Sequence, residues 1–296
     1  MNIIQFELWL DCPNNCAFCA IREFKNFNLN KANCINKAIQ ELNNIDYTQF
    51  DELCIIGGEL LIPDLTTIEI NLLLTLFNKI KALLLSKKLK KFYIVSSLLN
   101  NCPYLKDILN IFNDKKIINS FSINTSWDYK YRFNKDNKII WHNNIDLIKS
   151  YGIDLHYETI LTDDLIIAYL NDNKEVLEKI NSNQLDLIRP SDSYSHSNRN
   201  LKGFFPSRNN FFKFMQKLKT ENKELFNNLF NLEKRASKIY TFPTDVITSR
   251  LNKEYIEEIN DTLAECKHDI LYTQCYKDSN KCIICDLLKF KDEING

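Results

Sequence analysis

Six short apolar stretches alternate with segments of helical periodicity over the first two thirds of the chain. They run over Ile3–Leu10, Glu52–Gly57, Phe92–Ser97, Ile118–Thr125, Ile153–Leu161 and Leu185–Arg189. Each is rich in β-branched or aromatic residues, which reads as a strand. Between them, Asn33–Leu42, Leu65–Lys90, Tyr104–Phe112, His142–Tyr151 and Leu165–Ile180 place apolar residues at helical spacing. Gly152 stands where a helix C′ glycine is expected. Repeated strand–helix alternation forces a parallel sheet, because parallel neighbours need a crossover and a helix supplies it. Right-handed crossovers leave an open sheet or a full or partial barrel.

The texture changes after Arg189. The stretch "RPSDSYSHSNRNLKGFFPSRNN" is polar and reads as a linker. The expected organisation is a body over 1–195, a linker over 196–210 and a mainly helical extension over 211–296. Helical spacing recurs in Phe211–Leu232 and Asn252–Glu265.

Formal net charge is zero, with 38 basic and 38 acidic residues, so there is no strong nucleic-acid signal. The first residues, "MNIIQFELWLDCP", lack the basic start and long apolar run of a signal peptide. Leu72–Leu85 carries Lys79 and Lys81 and is too short and polar to span a bilayer. The expectation is a cytoplasmic protein with no membrane partner. Ten cysteines in such a compartment stay reduced, so clustered ones point to metal. The chain has only five glycines, and neither GxGxxG nor a Walker-type loop can be assembled from them.

Cys12, Cys16 and Cys19 lie in "LDCPNNCAFCAI" with the spacing C-x3-C-x2-C. Such a loop lets three thiolates converge on one metal centre. Structural zinc sites and complete cubanes take four protein ligands. Three ligands leave one coordination position open for chemistry. The loop follows the first strand, at the strand end where α/β proteins carry their active sites. The competing reading is a zinc knuckle completed by a distant residue.

The motif "CPNNCAFC", with Phe18 as its aromatic, resembles the signature of the radical S-adenosylmethionine (radical SAM) superfamily. The "GGE" of Gly57, Gly58 and Glu59, after the second strand, resembles that superfamily's second hallmark. The resemblance covers roughly Met1 to Arg189. It implies a partial (β/α)6 barrel open at one side for substrate. It also implies a [4Fe-4S] cluster on Cys12, Cys16 and Cys19, whose fourth iron binds S-adenosylmethionine. Reductive cleavage would then yield a 5′-deoxyadenosyl radical that abstracts a substrate hydrogen. The implied electron donor is a small flavodoxin- or ferredoxin-like protein.

Other strand ends supply further candidates. Gly57 and Gly58 let backbone approach a ligand closely, and Glu59 with their carbonyls suits a methionyl amino group. Ser96 and Ser97 end strand three. Ser122 and Asn124 share one face of strand four. Asp128 and Arg132 either cap a helix and pair at the surface or reach substrate. On strand five, Asp154, His156 and Glu158 alternate with apolar residues, reading either as a wet barrel interior or as an edge strand with one face in water. Arg189 either clamps a carboxylate or phosphate or braces the linker.

Near the end of the sequence, Cys266, His268, Cys275, Cys282 and Cys285 offer five ligands. Cys266, His268, Cys282 and Cys285 suit zinc; the four cysteines suit an auxiliary iron–sulfur cluster. The region resembles the twitch-type auxiliary domains behind some radical SAM barrels. Cys34, Cys54 and Cys102 read as ordinary cysteines. The reading from another class is a non-catalytic, zinc-stabilised binding module.

Overall fold

The computed structural model describes residues 2–14, 16, 19, 30–182, 185–188, 204, 206–230 and 238–243. The strands are β1 (Asn2–Glu7), β2 (Glu52–Ile56), β3 (Lys91–Val95), β4 (Phe121–Ser126), β5 (Asp154–Ile160), β6 (Leu185–Ile188) and β7 (Lys238–Pro243). The helices are α1 (Lys31–Asn44), α2 (Thr67–Leu85), α3 (Leu105–Phe112), α4 (Lys135–Ser150), α5 (Asp163–Leu170), α6 (Lys174–Ile180), α7 (Arg208–Glu221) and α8 (Lys223–Phe230). The strands form one sheet of order β6-β5-β4-β3-β2-β1-β7. Pairing from β7 through β1 to β5 is parallel throughout. Strands β1 to β6 therefore lie side by side in chain order with helices between them, which is the α/β arrangement of a partial (β/α)6 barrel.

The chain divides into two compact units, Met1–Glu158 with Ser237–Arg250, and Thr159–Ala236 with Leu251–Gly296. In the first unit, alternation decides which face is buried. Ile4, Phe6, Leu53, Ile55, Phe92, Ile94, Phe121 and Ile123 are buried on one face. Phe77 of α2 and Phe112 of α3 join Phe92 and Phe121 there, and Phe112 stacks on Phe121 with centroids 4.1 Å apart. Each such buried side chain stabilises the fold by about 1.5–3 kcal/mol relative to leaving it exposed.

Helix starts follow local chemistry. Thr66 and Glu69 form a reciprocal capping box at α2, and Asn134 with Asn137 does the same at α4. Gly152 ends α4 at φ +69°, the left-handed conformation that glycine adopts without strain. One expected helix, Leu165–Ile180, is two: Asp172 sits at φ +56° and Asn173 caps α6 by accepting from the Val176 amide.

In the second unit, Tyr169 organises the contact of α5 with α7. Its ring meets Phe214 edge-on, and its hydroxyl donates to Glu221 at 2.7 Å. Lys217 lies over the ring and bonds Asp172 at 2.5 Å.

Strand β7 was not among the six expected. It pairs with β1 along its whole length, and its sequence KIYTFP lies between the two segments read as helical, Phe211–Leu232 and Asn252–Glu265. Its Pro243 stands at the end of an edge strand, where a missing donor is tolerated.

Candidate active site at the strand ends

Leaving β1, the backbone runs directly against the end of β2. Leu8 donates to Ile56 O at 3.2 Å, Gly58 N to Trp9 O at 2.6 Å, and Glu59 N to Asp11 O at 3.0 Å. The Trp9 indole donates to Glu59 O at 2.8 Å. The two glycines make this approach possible. A Cβ at Gly57 would stand 2.6 Å from Trp9 O, and one at Gly58 would overlap the carbonyls of Leu10 and Asp11. Here the Gly-Gly pair faces the backbone of the cysteine loop, so the two hallmark motifs are parts of one construction.

Glu59 is 2% exposed. Its Oε1 accepts from Leu61 N at 3.0 Å and Ser96 Oγ at 2.7 Å. Its Oε2 accepts from Ser97 N at 2.9 Å, from Ser97 Oγ, and from Asn14 Nδ2 at 3.4 Å. The carboxylate thus ties together the ends of β2 and β3 and the cysteine loop. All five donors are neutral, so hydrogen bonding satisfies its oxygens without neutralising its charge. The turn presenting the two serines is strained at Leu98, φ +56°, and Asn144 of α4 braces it by donating to Leu98 O at 2.9 Å and Asn100 O at 3.0 Å.

Cys12 and Cys16 are buried, Cys19 is partly exposed, and none of the three is in a disulfide. Cys19 N donates to Cys16 O at 3.2 Å, closing the second half of the motif. Lys31 at the start of α1 pairs with Asp11 at 2.7 Å. A cubane takes one cysteine on each of its irons. The donor set of three thiols on one loop fits such a cluster.

Asp128 and Arg132 are neither helix cap nor surface pair. They form an ion pair at 2.5 Å with side chains 3% and 12% exposed. Burial works against the Arg132 charge, but Asp128 and then the Cys16 and Cys19 thiols outweigh it and hold its pKa above the ordinary value. Elsewhere, burial pushes the Cys54 and Cys102 thiols up to about 12, which keeps both protonated and unreactive.

The sheet's second face is polar. Strand register sets Ser122 beside Tyr93 and Asp154, Asn124 beside Val95 and His156, and Ser126 beside Glu158. His156 is exposed and Glu158 half-buried, whereas Leu155 and Tyr157 on the other face are buried. Because β5 is flanked by β4 and β6, its polar face is not the face of an edge strand.

The structure brings Cys12, Cys16, Cys19, Gly57, Gly58, Glu59, Ser96 and Ser97 to adjoining strand ends. Ser122, Asn124, His156 and Glu158 share the polar face of β4 and β5. Phe18, Arg189, Cys266, His268, Cys275, Cys282 and Cys285 lie outside the described residues. Sequence reasoning missed Trp9 and Asn14, which motif spacing treats as filler. The indole and amide donors beside the cysteines were the available signal.

No protein-family profile matches the chain. No curated protein matches it. Among solved structures, native anSMEcpe with bound AdoMet superposes with TM-score 0.50 at 13% identity, covering 89% of this chain and 67% of that one. Polyhistidine-tagged anSMEcpe with bound AdoMet gives TM-score 0.49 at 12% identity, covering 93% and 65%. Streptococcus suis SuiB gives TM-score 0.43 at 15% identity, covering 88% and 52%. The chain spans about two thirds of the length of anSMEcpe. The first of these likenesses establishes a shared fold.

Proposed function

We propose that the chain is a radical S-adenosylmethionine enzyme. The observation that carries this reading is the packing of Gly57-Gly58-Glu59 onto a loop bearing three donors of one kind, the thiols of Cys12, Cys16 and Cys19. A shared fold with a protein that binds AdoMet supports it. Cys12, Cys16 and Cys19 would hold a [4Fe-4S] cluster, which together with S-adenosylmethionine would supply one-electron reductive cleavage of the sulfonium for hydrogen abstraction from a substrate.

The chain's own residues bind and shield. Glu59 places a carboxylate at the strand ends, where a methionyl ammonium would take the place of some of the donors that now fill its oxygens. The Gly57 and Gly58 backbone lies where no Cβ obstructs the cysteine loop. The Arg132 guanidinium puts a permanent positive charge near Cys16 and Cys19, which offsets thiolate charge. Ser122, Asn124, His156 and Glu158 furnish hydrogen-bonding groups on the open face, for the cofactor or a polar substrate.

With this reading go a small flavodoxin- or ferredoxin-like electron donor, a cytoplasmic setting, and a second metal at the C-terminal cysteines. That metal is either zinc or an auxiliary cluster, and metal analysis of the purified full chain distinguishes them. Substrates within the proposal are a peptide or protein side chain, a nucleoside or RNA base, or a small metabolite. The test is anaerobic reconstitution with iron and sulfide, reduction, and assay for 5′-deoxyadenosine. The wild type should form it, and alanine at Cys12, Cys16 or Cys19 should abolish it. A loaded, reduced wild type that forms none contradicts the proposal.

A further inference from the structure

Among the described residues, backbone bonds, an ion pair and a side-chain amide fasten the cysteine loop at three places. Backbone bonds join Trp9 and Asp11 to Gly58 and Glu59. The Asp11–Lys31 ion pair holds the same segment to α1. Both precede Cys12. The third fastening falls between Cys12 and Cys16: Asn14 Nδ2 donates to Ser97 Oγ at 2.7 Å and to Glu59 Oε2 at 3.4 Å.

The chemistry of this third point is directional. The Asn14 amide nitrogen turns one side toward Ser97 Oγ and Glu59 Oε2, which are bonded to each other and share its N–H. The reverse orientation would set the amide oxygen against the Glu59 carboxylate, so the network fixes which end faces it. Ser97 gives its own proton to Glu59 and receives one from Asn14. The three side chains form a directed chain of the kind whose members strengthen one another. Its far end is anchored, since Ser96 also bonds Glu59 and Asn144 braces the turn at Leu98.

We propose that Asn14 is a positioning residue, a latch that holds the segment between Cys12 and Cys16 in its metal-ready arrangement in the metal-free protein. The inference rests on the reading of Cys12, Cys16 and Cys19 as cluster ligands. Its physical basis is that ligands assemble a site within narrow tolerance only when neighbouring groups fix them. Three residues separate Cys12 from Cys16, and Asn14 is the middle one. Released, the segment is free to turn either flanking thiol away from its burial.

The test uses the full chain, metal-free and anaerobic, pulsed with iodoacetamide and read cysteine by cysteine by mass spectrometry. Cys34 and Cys54, buried at 3% and 1%, serve as internal standards. Asn14→Ala should speed modification of Cys12 and Cys16 by about 5- to 30-fold, the equivalent of one or two hydrogen bonds. The standards should keep their rates. Asn14→Leu has a similar shape but no donor or charge and should also be faster than wild type. Ser97→Ala should also be faster than wild type, and combined with Asn14→Ala should add little, because both break one chain.

Wild-type rates in Asn14→Ala or Asn14→Leu overturn the latch. So does acceleration of all four cysteines together, or full additivity with Ser97→Ala. Iron and sulfide uptake by the wild type, measured in parallel, tests the cluster reading separately. If the wild type takes up neither, that reading fails while the alkylation rates still decide the latch.

Discussion

Gly58 carries the sharpest steric demand in the first unit. Its backbone lies so near the cysteine loop that an added methyl would overlap the carbonyls of Leu10 and Asp11. These are backbone atoms, and Asp11 O is tied by the Glu59 amide, so they yield only if the loop moves. Gly58→Ala should lower the urea midpoint by the equivalent of about 1–3 kcal/mol. It should also reduce iron bound after reconstitution by more than half. Unchanged midpoint and iron content would show that the close approach is not needed. For single residues the sequence was legible in type and opaque in partner. The rarity of glycine drew attention to Gly57 and Gly58, but only coordinates reveal that their neighbour is the other motif's backbone. Ser96 and Ser97 were expected at the site, yet their shared bond to Glu59 spans 37 and 38 residues of sequence, which no local pattern encodes.

Among the strands and helices, alternation and helical spacing located all six β/α units, because the sheet's buried face repeats every two residues and helix faces every three or four. Boundaries shifted where local caps compete with periodicity. The break between α5 and α6 comes from Asn173, a capping side chain inside an apolar pattern. The same sheet predicts an alkaline weakness. Cys54 on β2 is buried beside Tyr93 on β3; burial pushes its thiol from 9.0 up to about 12, Glu7 and Glu52 add to this, and the Tyr93 bond opposes it. Below about pH 9 both folded and unfolded chains keep that proton. Between about 9 and 12 the unfolded chain loses it first, so stability falls as pH rises. The urea midpoint should drop between about pH 9 and 12, with a slope of up to about 1.4 kcal/mol per pH unit from this thiol. Cys54→Ala should flatten that drop. An identical slope in both proteins would remove Cys54 as the cause.

Over the chain as a whole, β7 returns from beyond the second unit's helices to pair with β1, the strand that leads into Cys12. Ending the chain before Lys238 should expose that edge, lower the thermal midpoint by several degrees and increase aggregation. An equal midpoint and yield would mean β1 is stable without it. The β-branched and aromatic run of β7, KIYTFP, was a strand signal, but its pairing with β1 more than 230 residues away is encoded by no local pattern. No helix among the described residues is long and apolar enough to cross a membrane. The C-terminal cysteines were legible as a ligand set, but residue types alone leave zinc and a second cluster both open.

Everything proposed for the site depends on Cys12, Cys16 and Cys19 holding a cluster with one iron open to S-adenosylmethionine. The decisive experiment is electron paramagnetic resonance of the reconstituted, reduced full chain, with Cys266→Ala, Cys275→Ala, Cys282→Ala and Cys285→Ala combined to silence the second site. About four irons per chain should remain, and adding S-adenosylmethionine should change the cluster signal. A reduced cluster signal identical with and without S-adenosylmethionine, or one that survives Cys12→Ala, Cys16→Ala and Cys19→Ala together, would overturn the cluster assignment and the enzyme reading with it.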